Sequence, residues 1–183
     1  TSEATVWGMG LSAGLGLGRG KENLGLGVAI NGTGVVNVVH NTVDSFIHAG
    51  TITSTNAADL TLTAEDTTQI MADAGGVSVA VGIGKKSGAA AAVGASVAVN
   101  IVSNDVHATI TDSTIGTEAA PLGALSLMAT RDTEIWALTI AASVTVGYGS
   151  TGFSAAIGAA AAGAVNVISG SAEAGIVEDS TVT

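Results

Sequence analysis

Along most of this chain, apolar and small or polar positions alternate with a period of two, the spacing of extended strands rather than of helices. From Gly76 to Val102 the alternation is unusually clean: Val77, Val79, Val81 and Ile83 interleave with Ser78, Ala80, Gly82 and Gly84. A break follows at Lys85-Lys86-Ser87-Gly88. The alternation then resumes with Val93, Val97, Val99 and Ile101 against Gly94, Ser96, Ala98 and Asn100. Each arm thus carries branched side chains on one face and nearly bare backbone on the other. This two-armed unit with a charged tip occurs three times.

The first copy sets Trp7, Met9, Leu11, Leu15 and Leu17 against Gly or Ser at the even positions from Gly8 to Gly18. Its tip is Arg19-Gly20-Lys21-Glu22-Asn23, and its return arm begins at Leu24. The third copy runs from Ser143 through a tip at Ser150-Thr151-Gly152 into the arm Phe153 to Ile168. Two further extended segments complete a unit, Val43 to Ser54 and Asp59 to Met71 in the first. Ala89 to Ala92 and Ala159 to Ala162 could start helical turns, but each run passes directly into Val-rich alternation and carries Gly nearby.

Three sets of anchors fix the period: Gly16, Gly82 and Gly147; Asn37, Asn100 and Asn166; and Thr51-Ile52, Thr114-Ile115 and Thr181-Val182, spaced 63 to 67 residues apart. On this alignment Thr1 to Thr5 match Asp132 to Trp136. The pattern predicts an all-β fold, a β-solenoid resembling a β-helix, with about three long-period repeats and stacked in-register strands. Residues 1–183 form one repeat array, divided at approximately 6–71, 72–137 and an incomplete 138–183, and read as a fragment of a longer chain. Stacking equivalent arms would place Asn37, Asn100 and Asn166 in a ladder of side-chain amides, each donating to the next. The bare faces would meet closer than the ~10 Å usual between sheets, so that Leu at Ala98 or Gly94 would overpack them.

Composition narrows the function classes. Of the residues 11% are charged and 3% aromatic, with a formal net charge of −10 and only five Lys and Arg in total, which argues against a nucleic-acid partner. The absence of Cys removes disulfides, thiolate metal sites and thiol nucleophiles. No basic-then-apolar leader is visible at Thr1-Ser2-Glu3-Ala4-Thr5, and no apolar run reaches the ~20 residues of a membrane-spanning helix.

The segment Gly-Ala-Ser-Val-Ala-Val-Asn-Ile-Val, followed by Val-His-Ala-Thr-Ile-Thr-Asp-Ser-Thr-Ile, resembles the repeats of very large secreted bacterial adhesins of the filamentous haemagglutinin and leukotoxin type. The resemblance extends over nearly the whole chain through motifs of low complexity, and this chain's period is longer than that of a simple β-helix coil. It implies a long β-helical shaft exported to the bacterial cell surface, with attachment or fibre formation as its role. The partners expected on this view are other copies or adjacent repeats, and a host or neighbouring-cell surface.

Candidate chemistry is sparse. The histidines His40, His48 and His107 do not recur as a pair in repeat phase, which favours surface positions over a metal site. Asp132 and Glu134 share a strand face that a calcium ion could use, while solvated strand edges explain Glu65-Asp66 and Glu178-Asp179 equally well. Calcium is therefore a minor alternative to having no cofactor. The Gly-rich arms lack a P-loop, no Gly-x-Ser-x-Gly elbow is present, and the Thr pairs do not keep phase as an ice-binding array would. No catalytic or cofactor-binding residue is assigned. The residues singled out are the ladder Asn37, Asn100 and Asn166 and the tip cations Arg19, Lys21, Lys85 and Lys86. A non-enzymatic structural or adhesive module is the expectation; a membrane-inserting or pore-forming β-hairpin protein is the alternative, motivated by apolar arms with polar tips.

Overall fold

The computed structural model describes residues 1–183. Ten strands follow one another: β1 (Ser2–Gly20), β2 (Leu24–His48), β3 (Thr51–Ile52), β4 (Leu60–Gly84), β5 (Ser87–Thr111), β6 (Thr114–Ile115), β7 (Leu125–Gly149), β8 (Ser154–Ser169), β9 (Ala172–Val177) and β10 (Thr181–Val182). No helix interrupts them. Strands β4, β5 and β7 are each 25 residues long, about 80 Å at ~3.3 Å per residue. Such lengths arise because the alternation never pauses between a unit's closing segment and the next unit's first arm. What reads as two segments in the sequence is one strand.

All three sheets are parallel. The first holds β1, β4 and β7, the second β2, β5, β8 and β9, and a narrow third β3, β6 and β10. Each coil passes from the first sheet through the tip turn to the second, bends at a corner into the third, and returns by a loop. This is a β-solenoid with an elongated cross-section, as the repeat pattern predicts. The two arms of a unit lie in different, facing sheets and are not hydrogen-bonded to each other as a hairpin.

Pairing corrects the alignment in one place. Gly82, the partner of Gly147, pairs with Gly18, not Gly16, and Thr5 lines up with Gln69 and Glu134. The slip is two residues, which leaves every side chain on its own face. Nothing in the monotonous Gly8–Gly18 stretch marks register, so the flanking arms set it.

The interior has two parts. At the base, beside the corner, Leu62, Val106, Ile110 and Ile115 form with Ala64 and Ala108 a core built mainly of large side chains, with Val43, Ile47, Leu122 and Leu127 packed around it. Toward the tip the sheets close into a thin blade whose inner face is Ala29, Ala80, Ala90, Ala92 and glycines. The approach there is so close that a Cβ added to Gly82 would fall on the carbonyl oxygen of Ala89 across the interior. Bare faces therefore meet, and the branched residues of the blade point outward on both sheets, except Val35, which packs inward on Ala72, Ala74 and Ala98.

The corners share a second device. Ala49, Asp112 and Glu178 each follow the end of a second-sheet strand with positive φ, at 51, 51 and 55°. Left-handed backbone at a residue with a Cβ costs ~1–2 kcal/mol. It is tied down by a hydroxyl row, in which Gly50 N donates to Ser113 Oγ at 3.1 Å and Ser113 N to Ser180 Oγ at 3.3 Å.

Candidate functional site

The interior amides lie where the two parts of the core meet. Asn37, Asn100 and Asn166 occupy one row of the second sheet. Asn37 Nδ2 donates to Asn100 Oδ1 at 2.8 Å, and Asn100 Nδ2 donates to Asn166 Oδ1 at 2.9 Å. In-register parallel stacking produces this geometry directly, since the spacing between strands, ~4.8 Å, matches the reach of one amide to the next.

Four residues along, a larger polar network crosses the interior. Asp66, 1% exposed, accepts hydrogen bonds from Asn41 Nδ2 at 3.1 Å, Asn104 Nδ2 at 2.6 Å and Thr68 Oγ1 at 3.0 Å. Asn104 Oδ1 in turn accepts from Asn41 N at 3.1 Å. Three donors around one carboxylate are what allow it to be buried away from water. Arg131, the register partner of Asp66 on the next rung, turns its Nη1 to the carbonyls of Asn104 and Ser169, at 3.2 and 2.7 Å. The motif reading missed this network. Its one visible signal is that Asn41 and Asn104 repeat at the same interval as Asn37 and Asn100.

The tip cations stand at one edge of the blade. Arg19 is the last outward-facing residue of β1, and Lys21, Lys85 and Lys86 lie in turns held by backbone bonds, among them Lys86 N to Asn23 O at 3.1 Å. Arg19, Lys21, Ile83 and Lys85 border a shallow depression, and none of the four cations makes an ion pair. The third tip, Ser150-Thr151-Gly152, continues the row without charge.

On the outer base of the second sheet the histidines meet acids. His107 Nδ1 lies 2.8 Å from Asp44 Oδ1 and shares its row with Glu173, and His48 lies 3.7 Å from Asp112. Nearby, Asp105 accepts from the Ser171 hydroxyl and from Ser171 N, both at 2.9 Å. Those bonds, the hydroxyl's first, hold the Asp105 carboxyl below its ordinary range, with a smaller contribution from His107 and His40. Asp44, Phe46, His48 and His107 line a shallow, open hollow. It holds no hydroxyl–imidazole–carboxylate relay. Asp132 and Glu134 point outward on the first sheet in adjacent rows, and no group of three or more His, Asp or Glu gathers in metal-binding geometry.

What the arrangement does chemically is mutual satisfaction: amide to amide, amide to carboxylate, hydroxyl to carbonyl. No family model, no curated protein and no solved structure matches the chain.

Proposed function

We propose that the chain is a non-enzymatic structural module, a rigid shaft or fibre-forming segment of a large bacterial surface protein. The observation that carries this reading is the ladder itself. In-register parallel strands and stacked amides run unbroken through every coil, and β1 and β2 at one end, like β7 and β8 at the other, are paired on one side only. An unpaired edge that already holds the right register is a template for a further coil. The resemblance to secreted adhesin repeats agrees with this and supplies the cell-surface location and the adhesive role. Electron microscopy and fibre diffraction of the purified chain test it. Unbranched fibres of constant width with a ~4.8 Å axial repeat are expected, and particles that remain single coil-stacks at high concentration would contradict it.

One observation favours a second reading, insertion into a bilayer: the outward face of the first sheet is apolar for about 40 Å, from Met71 to Ile83, except at Asp73. Opposing it, the arms belong to open sheets, and unpaired sheet edges are not tolerated in hydrocarbon. Dye release from vesicles distinguishes the two.

A further inference from the structure

The outer face of the first sheet carries an inference beyond the shaft. The molecule exposes 10034 Å², whereas a globular protein of its 17.6 kDa exposes about 7,900 Å². Large apolar side chains contribute to this excess: Trp7, Leu11, Leu17, Trp136 and Tyr148 are each more than 60% exposed. Contiguous apolar surface of this extent marks an interface.

The relief of that face is specific. Residues stand in rows across β1, β4 and β7: Leu11, Gly75 and Ile140, then Ala13, Val77 and Ala142, then Leu15, Val79 and Val144. Gly75 leaves a notch of about 440 Å³ between Leu11 and Ile140. Val79, one row beyond Val77 as Gly75 is one row before it, is a knob on the same strand. A twofold axis along the Ala13–Val77–Ala142 row lays Val79 of each copy over Gly75 of the other.

The same rotation matches charge. The tip row of Arg19 and Ile83 meets the Trp7–Met71–Trp136 row, and Lys21 and Lys85 reach the acidic border of Glu3, Asp132 and Glu134. Asp73, the one outward carboxylate inside the apolar band, falls within reach of Arg19 of the second copy. In a single copy none of these acids or tip cations is ion-paired. The band is about 40 Å long and about 14 Å wide over three rungs, so a pair covers roughly 1,100 Å² even as flat area, enough for a specific interface.

We propose that this face binds a second copy of the chain, with the strands of the two copies antiparallel and their solenoid axes parallel. Fibre growth through the open ladders does not require it, so fibres without face pairing would remove this proposal and leave the shaft reading standing.

Single-cysteine variants test it cleanly because the chain has no Cys of its own. Under mild oxidation, Val77→Cys is expected to cross-link to itself. Ile83→Cys is expected not to, but to cross-link with Met71→Cys when the two are mixed. Gly75→Leu in the Val77→Cys background fills the notch and is expected to lower the yield roughly tenfold or more. The circular dichroism should stay unchanged, since a Cβ at Gly75 meets only the mobile end of Leu11, at 2.7 Å. Equal self-cross-linking at Met71, Val77 and Ile83 would show parallel strands and overturn the proposal. So would a Val77→Cys chain that is folded but uncross-linked, or one that partitions into neutral phosphatidylcholine vesicles in place of dimerising.

Discussion

Base and blade are built from the same strands, yet they solve burial in opposite ways. At the base, Leu62, Val106, Ile110 and Ile115 point inward and Thr63, Glu65, Thr67 and Gln69 point outward, the usual division of a soluble sheet. In the blade, Ala72, Ala74, Ala80 and Gly82 point inward, and Met71, Val77, Val79 and Ile83 point outward. The side-chain period never changes. What changes, near the Asn100 row, is which face is large. Below it stability comes from side-chain volume; above it, from close approach of two backbones.

That contrast can be broken by substitutions of opposite sense. The largest effect is expected for Gly82→Val, which drives carbon atoms onto the carbonyl of Ala89. The loss should exceed the ~1–3 kcal/mol typical of overpacking, and loss of cooperative thermal unfolding would reveal it. Next, Ile110→Ala empties the base core and is expected to cost about 2–5 kcal/mol by denaturant titration, while the one-carbon deletion that the blade allows, Ala80→Gly, costs far less. If Gly82→Val is tolerated and Ala80→Gly is not, the two-part description fails.

At the junction, Asn100→Ala leaves the buried Asn37 amide without its acceptor, whereas Asn166 is open to water. About 1–3 kcal/mol is expected to be lost. Asn166→Ala removes the acceptor of Asn100 Nδ2 at the outer coil, where water can take its place, and is expected to cost less, which unfolding midpoints of the two variants would show. The smallest effect is pH-dependent. The Asp105 carboxyl is held below its ordinary value of 3.8 by Ser171. Its contribution is complete above that value and is lost as pH falls through the lower, folded value. Protection of the Ser171 amide against hydrogen exchange should therefore weaken only below about pH 4, and the base core should not respond.

Much of this was legible in the chain. Alternation announced strands, the long interval announced coils, and Asn37, Asn100 and Asn166 marked one row. The tip at Lys85-Lys86 was readable because charge interrupts an apolar run. That the bare faces would meet was readable from their small residues; less readable was where this arrangement stops, because alternation continues unchanged through the Asn100 row, where the inward face changes from small to large. The Asp66 network was hidden for a different reason: Asp66 and Asn104 lie on facing sheets, far apart in sequence, and their meeting depends on where the tip turn folds the chain. Likewise, the pairing of Asp44 with His107 follows from register across coils rather than from either residue's neighbours.

The corner, where Ala49, Asp112 and Glu178 turn each coil back, also governs how the assembly would behave under load. One coil advances the axis by only ~4.8 Å, yet it winds in more than 60 residues, a contour of about 200 Å when drawn straight. A tether of such coils is short and stiff at low force. When a terminal coil gives way, it releases some forty times its own axial length of slack, so a stack under tension lengthens and dissipates work while the coils behind it remain wound.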